Sequence, residues 1–496
     1  MSQKYPEYKG LNLPTVAQQV LEMWKEKKIF QQSIDTRAGK KPFVFVEGPP
    51  SANGLPGIHH VTGRAIKDIF CRYKTLKGFE VKRKAGWDTH GLPVELKVEK
   101  ELGITKEDIG NKISVEDYNK ACREAVMRYT DIWNDLTVKM GYWVDMENPY
   151  VTYESKYMES VWWLLGEMYR KDFMYKGYTI QPYSPKAGTG LSSHEINQPG
   201  CYKNVKDTSC VAQFKVIRNE TSEKLYLRQN ESFAGTEDWT NVYILAWTTT
   251  PWTLPSNTAL TVGSKISYLI VKCFNQYTND PMIVISSKEF IKKHYAKLLG
   301  NNEPTIGYQS FNASENGDYK SGGQKYSFEI IGNCLGTDLV GIKYEQLLPY
   351  TLPYQDAEKA FVIIPGDFVT TEDGTGIVHT APTFGADDAF VAKLAGVPPM
   401  LILDENNIPV PLVDLRGRFR KEVQDSVFGL GGEYVKAEYL EEGEAEIELK
   451  KQRKNLHHII ADLKAYMSVD ERITLKLKIE NKAFKIEKYE HNYPHY

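Results

Sequence analysis

The chain has 496 residues, of which 41% are hydrophobic and 25% charged, an ordinary composition for a soluble globular protein of about three domains. The formal net charge of −2 gives no overall electrostatic argument for nucleic-acid binding. The six cysteines are scattered without a Cys-x-x-Cys pair, so we expect neither a zinc knuckle nor a disulfide framework. We also expect a reducing cytoplasm, no signal peptide, and no membrane span, because no apolar run approaches about 20 residues.

The first regular elements are predicted before residue 90. A helix begins at Pro14-Thr15, and an apolar run at 43–46 predicts a buried strand. A loop rich in glycine and proline follows, then a helix with apolar residues at a 3.6-residue period up to Leu76, and a second strand from Val81. This β-loop-α-β unit predicts a parallel sheet with a ligand at the carboxyl ends of its strands.

Two adjacent histidines, His59 and His60, lie where the helix of this unit begins. A helix start has free N–H groups and a positive dipole end, and imidazoles there can donate hydrogen bonds to a triphosphate. The loop ends without Gly-Lys-Ser/Thr and lacks Gly-x-Gly-x-x-Gly, which excludes a Walker A mechanism. The same residues are equally compatible with a turn that carries two surface histidines.

The middle of the chain changes from helices to strands. Aromatic residues at helical spacing predict core helices at 114–140 and 154–170, and a strand follows at 177–180. Beyond residue 190 short β-like runs alternate with polar turns, which predicts a β-rich domain with surface loops at 230–240 and 301–323. The β-like runs lie at 208–216, 241–247, 258–262, 267–273 and 282–286.

Two motifs of this β-rich part carry possible chemistry. The four threonines of WTTTPWTLPSN (247–257) can supply hydroxyls to one wall, although the motif on its own favours a strand end with β-branched residues. GTGIVHTAP (374–382) with FGADD (384–388) places one imidazole and two carboxylates on a glycine-rich turn, where a single histidine is more often structural. The charged segment at 436–480 predicts a solvated helix face rather than a nucleic-acid contact.

The segment GWDTHGLPVE (86–95), taken with PPSANGLPGIHH (49–60), resembles the class I aminoacyl-tRNA synthetases, and within them the isoleucyl branch. The family's His-x-Gly-His appears here as Gly-Ile-His-His, so His60 is retained and Gly57 replaces the first histidine. The resemblance implies an α/β fold: a Rossmann-like catalytic half (1–190), an inserted β-rich editing domain (191–435), and a charged helical connection with a return strand (436–496).

The resemblance also implies an activity, the ATP-dependent ligation of isoleucine to tRNA(Ile). His59 and His60, with Gly57, would bind the phosphates of ATP, which carries Mg²⁺. Asp88 would bind the isoleucine ammonium, and Pro49 or Pro50 would line its side chain.

The two motifs of the β-rich part are similar to the editing insertion of isoleucyl enzymes, which hydrolyses valyl-tRNA(Ile). Editing is needed because valine and isoleucine differ by one methylene group, which gives too little discrimination between them in binding. By resemblance, one wall of that pocket carries threonines and an asparagine, and the other carries His379 and Asp388. Asp388 would hold the α-ammonium of the misattached amino acid, and water would be the nucleophile. The threonine wall comprises Thr248, Thr249, Thr250 and Asn257.

The sequence contains no KMSKS-like loop, whose lysine stabilises the pyrophosphate leaving group in the family. We therefore expect an amino-terminal fragment that forms adenylate poorly, from a protein that is a monomer at full length. Two alternatives stay open: a free-standing deacylase that uses only the β-rich domain, and a non-catalytic fragment that binds tRNA or nucleotide.

Overall fold

The structure is a computed structural model that describes residues 10–177, 179–185, 187–226, 240–299, 303–305, 307–309, 328–440 and 443–494. The chain forms two compact units, Met1–Gly177 and Tyr178–Tyr496. None of the described helices combines the length and the apolar character that crossing a bilayer requires.

The first unit is built on a parallel three-stranded sheet in the order β1-β2-β3. Helix α3 connects β1 to β2, so the predicted β-loop-α-β unit is confirmed. The elements of this unit are α1 (Leu13–Glu26), α2 (Ile29–Asp35), β1 (Pro42–Val46), α3 (Ile58–Leu76), β2 (Glu80–Trp87), α4 (Leu92–Leu102), α5 (Val115–Val126), α6 (Thr130–Lys139), β3 (Asp145–Val151) and α7 (Ser155–Arg170).

Three predictions for this part of the chain need correction. The stretch 114–140 forms two helices rather than one, and Trp133 on the second is buried as expected. The aromatic stripe of α7 is not core in the described chain, since Trp162 is 66% exposed and Trp163 62% exposed. Periodicity identifies an apolar face but not the element that covers it. The described residues 179 and 180 are not in a strand, and the nearest one is Tyr183–Ser184.

The second unit contains a ten-stranded mixed sheet. Its main path has the order β11-β12-β9-β10-β7-β14-β8-β13, and β17 pairs with β6, which pairs antiparallel with β7. The strands of the unit are β4 (Tyr183–Ser184), β5 (Thr189–Gly190), β6 (Tyr202–Lys215), β7 (Val242–Thr248), β8 (Ala259–Val262), β9 (Ser267–Phe274), β10 (Pro281–Ser287), β11 (Gly307–Gln309), β12 (Phe328–Leu335), β13 (Val362–Pro365), β14 (Ile377–Thr380), β15 (Leu401–Leu403), β16 (Pro409–Pro411) and β17 (Ala483–Pro494).

The helices of the second unit are mostly short and lie between these strands. They are α8 (Ser193–Ile196), α9 (Glu223–Tyr226), α10 (Lys288–His294), α11 (Ala296–Leu299), α12 (Gly336–Leu339), α13 (Ala386–Ala395), α14 (Glu444–Leu456) and α15 (Val469–Ile479). A 3-10 turn, Pro251–Ser256, joins β7 to β8.

The five β-like runs predicted from the sequence all coincide with strands, and they bury the main core of this unit. The predicted surface loops at 230–240 and 301–323 lie largely outside the described residues, although Gly307–Gln309 forms a strand. The charged segment is not simply a solvated face, because α15 buries Val469, Ile473 and Leu477. The predicted domain boundaries after residues 190 and 435 stay predictions.

Candidate functional site

The loop between β1 and α3 is held in place by side chains from later helices. Lys97 on α4 donates to the carbonyl of Asn53 at 2.7 Å. The indole N–H of Trp133 on α6 donates to the carbonyl of Gly54 at 2.9 Å. These bonds satisfy loop carbonyls that a strand or helix would otherwise pair, so the loop has a defined shape.

A buried carboxylate, Glu47, fixes the point where this loop leaves β1. Glu47 is 3% exposed, and its carboxylate accepts from Lys67 on α3 at 2.6 Å and from the Tyr142 hydroxyl. Its main-chain N–H donates to the carbonyl of Lys84 on β2 at 2.9 Å. A buried carboxylate needs hydrogen-bond donors, and Lys67 and Tyr142 supply them. Together with the bond to Lys84, these contacts join the start of the loop to the sheet and to α3.

The start of α3 presents hydrogen-bond donors. Gly57 is the N-cap residue, and its N–H donates to Nδ1 of His60 at 2.9 Å. An acceptor Nδ1 places the proton of neutral His60 on Nε2, where it can be donated. Burial, then the neighbouring His59 and Arg64, lowers the pKa of His60 and favours that neutral form. The free N–H groups of the first turn and two imidazoles suit a phosphate.

Asp88 follows directly after β2 with an exposed side chain. Its N–H donates to the carbonyl of Pro50 at 3.0 Å, which joins the segment GWDTHGLPVE (86–95) to the segment PPSANGLPGIHH (49–60). Gly86, two residues earlier, lies against the ring of Tyr150, and a Cβ there would overlap that ring. The structure therefore brings Asp88, Pro50 and Pro49 to the carboxyl end of the sheet, beside the loop that leads to His60.

The threonine-rich peptide after β7 folds back on itself. The N–H of Thr250 donates to the hydroxyl oxygen of Thr248 at 3.0 Å. The hydroxyl of Thr253 donates to the carbonyl of Thr250 at 2.9 Å. Thr249 is half-buried and makes no hydrogen bond to the described residues, so its hydroxyl is free to bind a ligand.

Asn257 and His379, expected on opposite walls, are in direct contact inside the protein. The Asn257 amide donates to Nδ1 of His379 at 2.8 Å, and the opposite ring nitrogen, Nε2, lies 3.0 Å from the Thr253 hydroxyl. The Asn257 carbonyl accepts from the buried Tyr344 hydroxyl at 2.7 Å. Burial lowers the pKa of His379 to about 3, so the ring is neutral at physiological pH with both nitrogens occupied. This geometry favours a structural role for Asn257 and His379, in which they support the threonine-rich peptide.

Asp388 lies in the first turn of α13. One carboxylate oxygen accepts from the N–H of Ala381 at 2.8 Å, and the other makes no hydrogen bond to the described residues. Burial raises the pKa of Asp388, and the neighbouring Asp387 raises it further, while the bond from Ala381 lowers it; the net change is an increase. A partly buried carboxylate with one free oxygen is suited to accept hydrogen bonds from an ammonium group.

Besides the Asn257–His379 hydrogen bond, two further side-chain contacts join the two motifs. The ring of Trp252, in the threonine-rich peptide, packs edge-on against Phe384 with 4.9 Å between centroids. The Thr253–His379 hydrogen bond is the second contact. That the side chains of the two motifs line one pocket stays a prediction.

Sequence reasoning missed Glu47, Tyr344 and Asp470, which hold the candidate site residues. Asp470 accepts from the main-chain N–H of Trp252 at 2.7 Å, although 218 positions separate the two residues. A single charged or aromatic residue at such a separation gives no local signal in the sequence.

Comparison with known proteins identifies the family. Residues 19–390 match the tRNA synthetases class I (I, L, M and V). The chain belongs to this family. The class I resemblance and the fold class predicted from the sequence are thereby confirmed.

Curated relatives extend the similarity over the whole chain. The isoleucine–tRNA ligase of Cytophaga hutchinsonii is 57% identical, covering 99% of this chain and 40% of that protein. The isoleucine–tRNA ligase of Bacteroides fragilis is 51% identical, covering 100% of this chain and 40% of that protein. The chain thus spans about 40% of the length of these relatives. The similarity to a solved structure titled GlLeuRS-CP1, at 16% identity, covers 56% of this chain and 96% of that one, with a TM-score of 0.30.

Proposed function

We propose that this chain carries two parts of an isoleucine–tRNA ligase: the first half of the site that activates isoleucine with ATP, and the site that hydrolyses valyl-tRNA(Ile). The observation that carries the proposal is the hydrogen bond between Asp88 and Pro50, because it brings the motif after β2 to the loop before α3. The relatives that match the whole chain at 51% and 57% identity are named isoleucine–tRNA ligases, which supports the choice of amino acid.

In the proposed activation site, each group has a separate task. The exposed carboxylate of Asp88 would pair with the α-ammonium of isoleucine, and Pro49 and Pro50 would line the aliphatic side chain. The carboxylate of isoleucine would then attack the α-phosphate of ATP, forming isoleucyl-AMP and releasing pyrophosphate. Donors at the start of α3 would hold the phosphates, with Nε2–H of His60 and the ring of His59 as side-chain donors.

The residues present at this site fit a triphosphate, because His60 must offer a proton at Nε2 while Nδ1 accepts from Gly57. Mg²⁺ would enter bound to the phosphates of ATP. Among the described residues, no cluster of three or more histidine, cysteine or acidic side chains could hold a metal ion. The residues at the start of α3 would contribute hydrogen-bond donors for the phosphates.

In the proposed editing site, Asp388 would hold the α-ammonium of the esterified valine. The hydroxyls of Thr248, Thr249 and Thr250 would orient the ester and a water molecule, which attacks the ester carbonyl and releases valine and tRNA. His379 is an unsuitable general base, because its pKa is about 3 and both ring nitrogens are occupied. It would instead act with Asn257 as the support of this wall.

The activation site is tested by titrating the chain calorimetrically with the sulfamoyl analogue of isoleucyl-adenylate. We expect Asp88→Asn to weaken binding by about 10- to 100-fold, since a hydrogen bond to a charged group contributes about 1.5–3 kcal/mol. Asp131→Asn, which neutralises an exposed carboxylate on α6 of the same unit, should leave the affinity unchanged. Absence of binding by the folded wild-type chain, or equal affinity of Asp88→Asn, would contradict the proposal.

A further inference from the structure

A largely buried group of ionisable side chains is connected to the threonine-rich peptide. The ammonium of Lys436 is 3.3 Å from Oδ2 of Asp470 and 3.2 Å from Oδ2 of Asp207. Nε2 of His491 is 3.0 Å from the same oxygen of Asp207. Asp207 is on β6 and His491 is on β17, so the group joins this pair of strands to the start of α15.

Asp470 connects this group to the candidate editing site. Its second oxygen, Oδ1, accepts from the main-chain N–H of Trp252 at 2.7 Å. Trp252 lies two residues after Thr250, and its ring packs against Phe384, four residues before Asp388. Asp470 is 4% exposed and sits in the capped first turn of α15, so its position is fixed by the helix.

The carboxylate of Asp470 is costly for the fold. Burial, only partly offset by Lys436 and the Trp252 N–H, raises its pKa to about 6, against about 4 in an unfolded chain. Because the folded pKa is the higher one, the free energy of unfolding falls as pH rises from about 4 through 6. At neutral pH the charged form is therefore less favourable for the fold than the protonated form, even with its bonds to the Trp252 N–H and Lys436.

We propose that Asp470 is a positioning residue of the hydrolytic site: it holds the peptide 250–252 in register with α15, and through Lys436 it couples that peptide to the strands β6 and β17. The inference rests on the editing function proposed above and adds a residue that makes no contact with substrate. Holding the main chain at Trp252 fixes the spacing between the threonine hydroxyls and the Asp388 turn, on which attack geometry depends.

The variant Asp470→Asn tests this, with Asp425→Asn as the matched control. Asp425 is also a buried carboxylate that accepts from main-chain N–H groups, of Val427 and Phe428, and pairs with a lysine of α15, Lys476 at 3.1 Å. None of these partners belongs to the threonine-rich peptide. Its pKa lies below the usual range, because the Phe428 N–H and Lys476 outweigh the effect of burial, so its charge supports the fold.

The experiment measures hydrolysis of valyl-tRNA(Ile) by the full 496-residue chain, with the melting temperature of each variant. Both oxygens of Asp470 accept from donors, the Trp252 N–H and the Lys436 ammonium, whereas an asparagine has one acceptor oxygen and must turn its NH2 group towards one of them. For Asp470→Asn we therefore expect kcat to fall on the order of 10- to 100-fold, KM to change less than about twofold, and the melting temperature not to fall. For Asp425→Asn we expect a lower melting temperature and an unchanged kcat.

The pH profile gives a second readout that a merely structural role would not change. Wild-type kcat should fall on the acid side with an apparent pKa near 6, and this limb should vanish in Asp470→Asn but persist in His491→Gln. Equal kcat losses in Asp470→Asn and Asp425→Asn, or an acid limb retained in Asp470→Asn, would overturn the inference. Absence of hydrolysis by wild type would overturn the proposed editing function and this inference with it.

The charged and polar groups that face Asp470 are Lys436, Asp207 and the Trp252 N–H, with His491 and Tyr493 behind them.

Discussion

Replacing Asp388 with alanine is expected to lower the rate of valyl-tRNA(Ile) hydrolysis by about 10- to 100-fold, because the variant loses a charge-assisted hydrogen bond to the substrate ammonium. The free carboxylate oxygen of Asp388 is the group that would accept this bond, while the other oxygen is occupied by the Ala381 N–H. The effect should appear in single-turnover deacylation at saturating enzyme, which isolates the chemical step.

Two further variants separate charge from shape at this position. Asp388→Asn can keep the bond to Ala381 through its amide oxygen but loses the negative charge, so it should lose activity nearly as fully as alanine. Asp387→Ala removes the adjacent exposed carboxylate from the same helical turn and should retain activity within about twofold. Equal activity of wild type and Asp388→Asn would show that the carboxylate does not bind the ammonium.

Replacing Asn257 with alanine is expected to lower the free energy of unfolding by about 2–5 kcal/mol, because it leaves several buried polar groups without partners. Asn257 is 2% exposed, and its side chain satisfies the Tyr344 hydroxyl, Nδ1 of His379 and the carbonyl of Ala259. Each buried group left unpaired costs about 1–3 kcal/mol. Denaturant unfolding followed by circular dichroism measures the change.

Thr249→Ala is the control for this stability effect, since Thr249 lies in the same peptide but makes no hydrogen bond to the described residues. Its free energy of unfolding should change by less than about 0.5 kcal/mol. A loss below about 1 kcal/mol in Asn257→Ala would mean that water replaces the amide and that the buried contact with His379 is not a structural support.

The sequence allowed the β-loop-α-β unit and its ligand end to be predicted, because local signals specify both. An apolar run, a loop rich in glycine and proline, and a 3.6-residue period define β1, the loop and α3. The proximity of Asp88 and the loop follows from topology, since the carboxyl ends of adjacent parallel strands meet at one edge of the sheet. The hydrogen bond from Asp88 to Pro50 agrees with this expectation.

The contacts that join distant segments could not be read from the sequence. Asn257 and His379 are 122 positions apart, and nothing in either motif shows that the two side chains bond to each other rather than line opposite walls. The burial of Trp162 on α7 was wrongly predicted for a similar reason. Helical spacing shows that a face is apolar, but it does not show what packs against that face.

The most direct test of this account is the rate at which the wild-type chain hydrolyses valyl-tRNA(Ile) and isoleucyl-tRNA(Ile), measured side by side with circular dichroism as the check on folding. We expect the valyl ester to be hydrolysed at least about tenfold faster, because a pocket that admits valine excludes the additional methylene of isoleucine. Equal rates for the two esters, or no hydrolysis of either by a folded chain, would contradict it.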